Sequence, residues 1–155
     1  MKTVFYFVLI FFTFSCNSSS NDVASFSSTS VSINDEILTS VKGANGKFNL
    51  DRLTIGNLHR LGNTVTNFRD IAKKRSPKID IYNELATIIS RNTDEILSQC
   101  KMKGDGQEQL KILIDKISEQ NKTIAETTDL EQAKVAFKNI CNLTNQINTD
   151  FDLLD

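Results

Sequence analysis

Beyond position 50, apolar residues recur at three- and four-residue steps almost to the end of the chain. Leu50, Leu53, Leu58, Leu61, Val65, Phe68 and Ala72 form the first stripe, over residues 50–74. That spacing lays one apolar face along a helix of about 3.6 residues per turn. Asn49 or Asp51 can cap its start. Lys73, Lys74 and Arg75 fall at its end, where cations suit the helix dipole. Ser76-Pro77 stops it, because the residue before a proline is pushed out of the helical region. Gly56 and Gly62 each cost about 1 kcal/mol relative to Ala, a cost that close approach of a neighbouring helix would justify.

A second segment spans residues 79–101, with Ile81, Leu85, Ile88 or Ile89, Ile96 and Cys100 inward and Asn92 interrupting the stripe. Lys103-Gly104-Asp105-Gly106 is a strong helix stop. A third spans 107–126, with Leu110, Leu113 or Ile114, Ile117 and Ile124. Thr127-Thr128-Asp129 breaks it, and Thr128 or Asp129 can cap a fourth segment carrying Leu130, Ala133, Phe137, Ile140 or Cys141, Thr144, Ile147, Phe151 and Leu154. No run alternates at period two for long enough to be a sheet. Short loops between long amphipathic segments imply antiparallel neighbours. The expected fold is therefore all-α, an antiparallel up-down bundle of four helices over residues 47–155. A short extra helix is expected before it, capped by Asn34-Asp35, running through Leu38 or Val41 and broken at Gly43-Ala44-Asn45-Gly46.

The first residues carry a different pattern. After Met1-Lys2, residues 4–14 read VFYFVLIFFTF. Eleven residues make about 16 Å of helix against a hydrocarbon core of roughly 30 Å, so the run fits a signal-peptide core better than a permanent span. The run has no polar face, and a Ser-rich stretch separates it from everything downstream, which argues against a buried N-terminal helix of the domain. Thr13-Phe14-Ser15-Cys16 follows and resembles a bacterial lipobox. The resemblance implies a diacylglycerol thioether on Cys16, cleavage just before it, and acylation of the new N-terminus. The sequence departs from the usual pattern at Thr13, where Leu is commonest, and at Phe14, where a small residue is usual; permissive lipoboxes of this kind are familiar in Bacteroidetes and spirochaetes. Two or three acyl chains anchor stably where one binds only marginally. The competing reading is an ordinary signal peptide cut near Ser15 or Ser20 to free a secreted product.

Residues 17–33 include eight serines among seventeen positions. Such a composition buries too little surface to offset its ordering entropy and reads as flexible linker, with a typical reach of about 20–25 Å. The expected organisation is a signal peptide at 1–15, a lipidated cysteine and linker at 16–46, and the bundle beyond.

Charge and composition narrow the function. Eighteen basic and nineteen acidic side chains give −1, and loss of Lys2 with the leader leaves 17 against 19, or −2. This balance argues against nucleic acid as a partner, since phosphate contacts need a clustered basic excess. The single histidine, His59, provides neither a two-histidine metal motif nor the repeated Glu-x-x-His of di-iron bundles. It reads as a solvated surface side chain. There is no Cys-x-x-Cys-His and no glycine-rich phosphate loop. Asp150, Asp152 and Asp155 read as a solvated acidic end that could hold a cation weakly. Asn121-Lys-Thr and Asn142-Leu-Thr match the glycosylation sequon but fall on helices.

Three cysteines are present. With Cys16 lipidated, Cys100 and Cys141 remain in an oxidising compartment. A third segment of about 18 residues climbs roughly 27 Å, and Cys141 lies about 18 Å down the fourth, so the two sulfurs come within about 5 Å of one height. A Cys100–Cys141 disulfide is then feasible if the side chains face each other. It would close about 40 residues and add roughly 3–4 kcal/mol on the chain-entropy model. Two buried free thiols, or a soft-metal site from Cys100, Met102 and Cys141 suited to Cu(I), are the alternatives.

Gln99-Cys100-Lys101-Met102-Lys103-Gly104, followed by Leu110, resembles a group of small exported Bacteroidetes proteins with a Cys-x-Met-x-Gly turn and then His-x-x-Leu-His. The resemblance covers roughly residues 50–150 and implies a helical bundle of unassigned activity. The family's two histidines fall at Gln107 and Lys111, so any metal held by that pair is not expected here.

The expectation is thus a lipid-anchored binding or interaction protein of the cell envelope, on an inner or outer membrane and on its periplasmic or surface side. It would meet the membrane through its anchor and a protein or peptide through a bundle face. It is not expected to be an enzyme, and no cofactor is expected beyond the acyl chains on Cys16. The alternatives are the soft-metal or redox module and a freely secreted helical carrier of an apolar ligand.

Overall fold

The computed structural model describes residues 39–153. Four helices follow one another: α1 (Arg52–Lys74), α2 (Ile79–Gln99), α3 (Asp105–Glu126) and α4 (Leu130–Asp150). Each is about 30–35 Å long at about 1.5 Å per residue. The loops at 75–78, 100–104 and 127–129 are too short for anything but reversal, so each helix returns along its predecessor. Among the described residues no sheet forms, only isolated bridges. The all-α bundle expected from the apolar stripes is what the chain builds.

Local chemistry sets the helix ends. Asp51 caps α1: its carboxylate accepts from the Thr54 backbone N–H at 2.9 Å and from the Thr54 hydroxyl at 2.6 Å. Asp129 caps α4, accepting from Glu131 N at 2.9 Å. Gly104 starts α3 at φ +93°, a conformation that side-chain-bearing residues rarely adopt. α3 therefore begins two residues earlier than the glycine stop suggested.

Leu61, Ile89, Ile96, Ile114, Ile117, Ile124 and Ile140 are fully enclosed in the core. At the loop end near α1's C-terminus, Phe68, Tyr82 and Phe137 pack edge to face, with ring centroids 4.9–6.2 Å apart. Two stripe assignments move by one position or more, and Ile89 rather than Ile88 is the inward member of that pair. Leu53, Ile81 and Ile88 face outward, and Ile55, Tyr82 and Ile89 take the inward places. Asn92 stays in the stripe, its amide donating to Thr64 Oγ1 at 3.2 Å across α1 and α2. Asn121 is 5% exposed and donates to the Ala86 carbonyl at 2.9 Å, so the sequon at that position is sealed in the bundle.

The opposite end is closed by residues 39–50. Ser40 N donates to Lys103 O, Phe48 N to Asp150 O and Asp152 N to Phe48 O, each at 2.9 Å. The Phe48 and Phe151 rings meet at 5.6 Å. This strap joins the α2–α3 loop to the chain beyond α4. It also seals Met102, which is 1% exposed although it lies in a loop. Residues 39–46, assigned to the linker from their glycines and polar side chains, are thus hydrogen-bonded to the bundle. Thr39, Ser40 and Val41 are not helical, so the expected short helix does not run through Val41; its alternative end at Leu38 lies outside the described residues. Residues 34–38, the leader at 1–15, Cys16 and the Ser-rich run lie outside the described residues.

Gly56 and Gly62 admit no close neighbour; a β-carbon on either would meet nothing within 4 Å. Gly106 is the glycine that permits contact: a β-carbon there would stand 2.0 Å from Ser40 Oγ and 3.0 Å from the Phe48 ring.

Candidate functional site

α1 closes the ring on α4 less tightly than the other neighbouring helices pack together. A cleft of about 240 Å³ opens along that seam. Its α1 wall carries His59, Gly62, Asn63, Thr66 and Arg69, spaced three or four residues apart so that they share one face. Its α4 wall carries Cys141, Thr144, Asn145 and Asn148 on the same principle, with Leu58, Val65 and Leu153 as apolar lining.

Arg69 is the one formally charged side chain lining the cleft; none of the lining residues is acidic. Its Nε is buried with no hydrogen-bond partner. A buried donor left unmatched costs about 1–3 kcal/mol, and more on a charged group. Cys141 stands at the same end. Burial pushes its thiol pKa up, and the nearby Arg69 and Lys73 cations offset this only in part. His59 lies ten residues before Arg69, about 15 Å away along the helix axis. It is exposed and stands near the other end of the cleft.

The cysteines are not brought together. Both are free and half-buried. Cys100 ends α2, whereas Cys141 lies within electrostatic reach of Tyr82, near the start of α2. Tyr82 and Cys100 are eighteen residues apart on one strand of the bundle, about 27 Å. A disulfide needs α-carbons within about 7 Å, so the expected Cys100–Cys141 bond does not form. Cys141 lies on the seam of α1 and α4 whereas Cys100 ends α2, and α3, at 22 residues rather than about 18, moves Cys141 about 6 Å further from the level of Cys100. The same separation removes the soft-metal site: Cys141 cannot share an ion with Cys100 and Met102, and Met102 is enclosed in the core. Among the described residues no cluster of three or more His, Cys, Asp or Glu side chains is placed to hold a metal.

Asp150 and Asp152 serve the fold. Asp150 accepts from Gln109 and Gln146 at 3.4 Å, and Asp152 from Asn45 at 3.0 Å. Asp155 lies outside the described residues.

A second concavity is apolar. Phe68, Ile71, Ile81, Leu85 and Ile88 line a groove of about 300 Å³ on the outer face of α1 and α2, edged by Thr64, Asn67 and Glu84. Ile71 is 47% exposed, and Ile81 and Ile88 are each 40% exposed. These isoleucines were read as core or left unassigned from sequence, so the groove was not foreseen. The polar cleft had a visible signal, the three- and four-residue spacing of polar positions from His59 to Arg69, but apolar periodicity alone did not pick it out.

The chain matches no protein-family model, no curated protein and no solved structure.

Proposed function

We propose that this is a lipid-anchored binding protein of a bacterial cell envelope, non-catalytic, that engages a protein or peptide through the groove of α1 and α2. The observation that carries the binding role is the set of isoleucines left half in water around that groove. Three large aliphatic side chains clustered on a concave surface mark an interaction face more often than scattered exposure does. Anchoring is supported by the apolar run at 4–14 and by Ser15-Cys16 directly after it. The Ser-rich stretch before the strap is suited to holding a domain just clear of a bilayer. Among the described residues no helix is long and apolar enough to cross a membrane.

Against thiol chemistry in particular stands Cys141, the thiol nearest a concave site. A reactive thiol needs a lowered pKa, and this one is raised.

The test is metabolic labelling of the full chain with radioactive palmitate, followed by fractionation. Wild type is expected to carry label and sediment with membranes, and Cys16→Ala to lose both. Unlabelled wild type in the soluble fraction would instead make it a freely secreted protein. In parallel, Ile81→Glu and Ile88→Glu are expected to abolish capture of an envelope partner while the helical circular-dichroism signal is kept; unchanged capture would remove the groove from the proposal.

A further inference from the structure

We infer that the α1–α4 cleft is a second and separate binding site, for the free carboxylate end of a short peptide. The first argument is charge. Arg69 is the single formally charged group lining the cleft, and no carboxylate among the lining residues neutralises it. Guanidinium is the side chain best matched to a carboxylate, because its planar N–H fork can donate two parallel bonds.

The second argument is the chemistry of the walls. Asn63, Asn145 and Asn148 present carboxamides, each with donors and an acceptor. A peptide backbone offers the complementary pair at each residue. Thr144 has already used its hydroxyl proton on the Ile140 carbonyl at 2.9 Å, which leaves its oxygen to accept. Leu58, Val65 and Leu153 give small apolar contacts between the polar ones.

The third argument is shape. From Arg69 to His59 the cleft runs about 15 Å, the length of four or five extended residues at about 3.3 Å each. Its volume, about 240 Å³, is below the range of roughly 300–1,000 Å³ usual for drug-sized ligands. A slim chain of small residues fits these limits, with its carboxylate at Arg69. The floor at Gly62 is open, since a β-carbon there would touch nothing within 4 Å.

The probes are trialanine, its C-terminal amide, propionate, and a longer peptide ending in the same three alanines. Each is titrated into the full chain in detergent, with the Arg69 Nε–H resonance followed by NMR and the affinity by calorimetry. Trialanine is expected to shift that resonance and to bind at least about tenfold more tightly than its amide, a difference of about 1.4 kcal/mol. Arg69→Gln should lose the preference for the acid. Gly62→Leu, whose β-carbon meets no neighbour and whose side chain would fill the open floor, should block all binding, and it keeps the test valid if Arg69→Gln unfolds.

Equal binding of acid and amide would overturn the assignment of Arg69 as a carboxylate anchor. Propionate binding as tightly as trialanine would overturn the peptide. Cleft resonances unmoved by every probe would overturn the site, with no bearing on the apolar groove on the other flank of α1. With the acid preferred, tighter binding of the longer peptide upholds the inference with a protein tail as the source, and equal binding upholds it with a free short peptide.

Discussion

Ser40 lies directly against Gly106, so close that a β-carbon on the glycine would stand 2.0 Å from the serine Oγ and 2.7 Å from its Cβ. Through this contact the strap of residues 39–50 crosses the first turn of α3. Ser40 is held in place from two sides, its backbone N–H on the Lys103 carbonyl at 2.9 Å and its hydroxyl donating to the Asn49 carbonyl at 3.0 Å.

Gly106→Ala is therefore expected to destabilise, although alanine favours a helix interior by about 1 kcal/mol. Overpacking of this kind costs about 1–3 kcal/mol, and the clash involves the strap's own backbone-held residue. Urea unfolding should show a net loss, and hydrogen exchange should show the Ser40 and Phe48 amides losing protection first. A more stable variant would mean that the strap does not rest on α3 as described.

Gly56→Ala provides the contrast. Nothing lies within 4 Å of the added methyl, and the position is exposed. Here helix propensity acts alone, and stability should rise by about 0.5–1 kcal/mol. The same denaturant series reads both glycines; a loss at position 56 would show that this helix face has a neighbour.

Asp51→Ala should cost about 1–2 kcal/mol, the upper part of the usual N-cap range, because the carboxylate accepts from both the backbone and the hydroxyl of Thr54. Asp51→Asn keeps an oxygen for the backbone bond and should lose less. If alanine and asparagine were equally costly, the capping bond would not be the cause.

The two downstream cysteines should titrate as two free thiols when the denatured, unreduced chain is counted with a thiol reagent. In the folded chain, alkylation of Cys141 should stay slow through the ordinary thiol range of about pH 8–9 and accelerate only above it, because burial raises its pKa. The folded state holds this proton to higher pH than the unfolded state does. Its contribution to stability is therefore complete below the unfolded thiol pKa and is lost as pH rises through the raised folded value. Fast Cys141 alkylation at neutral pH would contradict that environment.

Much of the architecture could be read one helix at a time. Leu58, Leu61, Val65 and Phe68, or Ala133, Phe137, Ile140 and Ile147, declare a buried face by spacing alone. Asp51 and Asp129 declare helix starts by a side chain reaching its own next turn. The misassignments of Leu53 and Ile81 are errors of rotation, and the same rotation decides for Ile89 over Ile88. A stripe wider than the available contact leaves its margin in water, and only the neighbouring helix determines which edge that is.

Helix number and antiparallel order depend on contacts within a few residues or on loops too short to do otherwise, so the amino-acid order alone was enough to establish them. The strap on Gly106, the burial of Met102, the separation of Cys141 from Cys100 and the shared cleft of Arg69 and the α4 amides all involve residues far apart in the chain. Each depends on how far one helix climbs and turns before another meets it. A few residues of added helix shift a side chain by several ångströms and about one turn, and no local pattern records that sum.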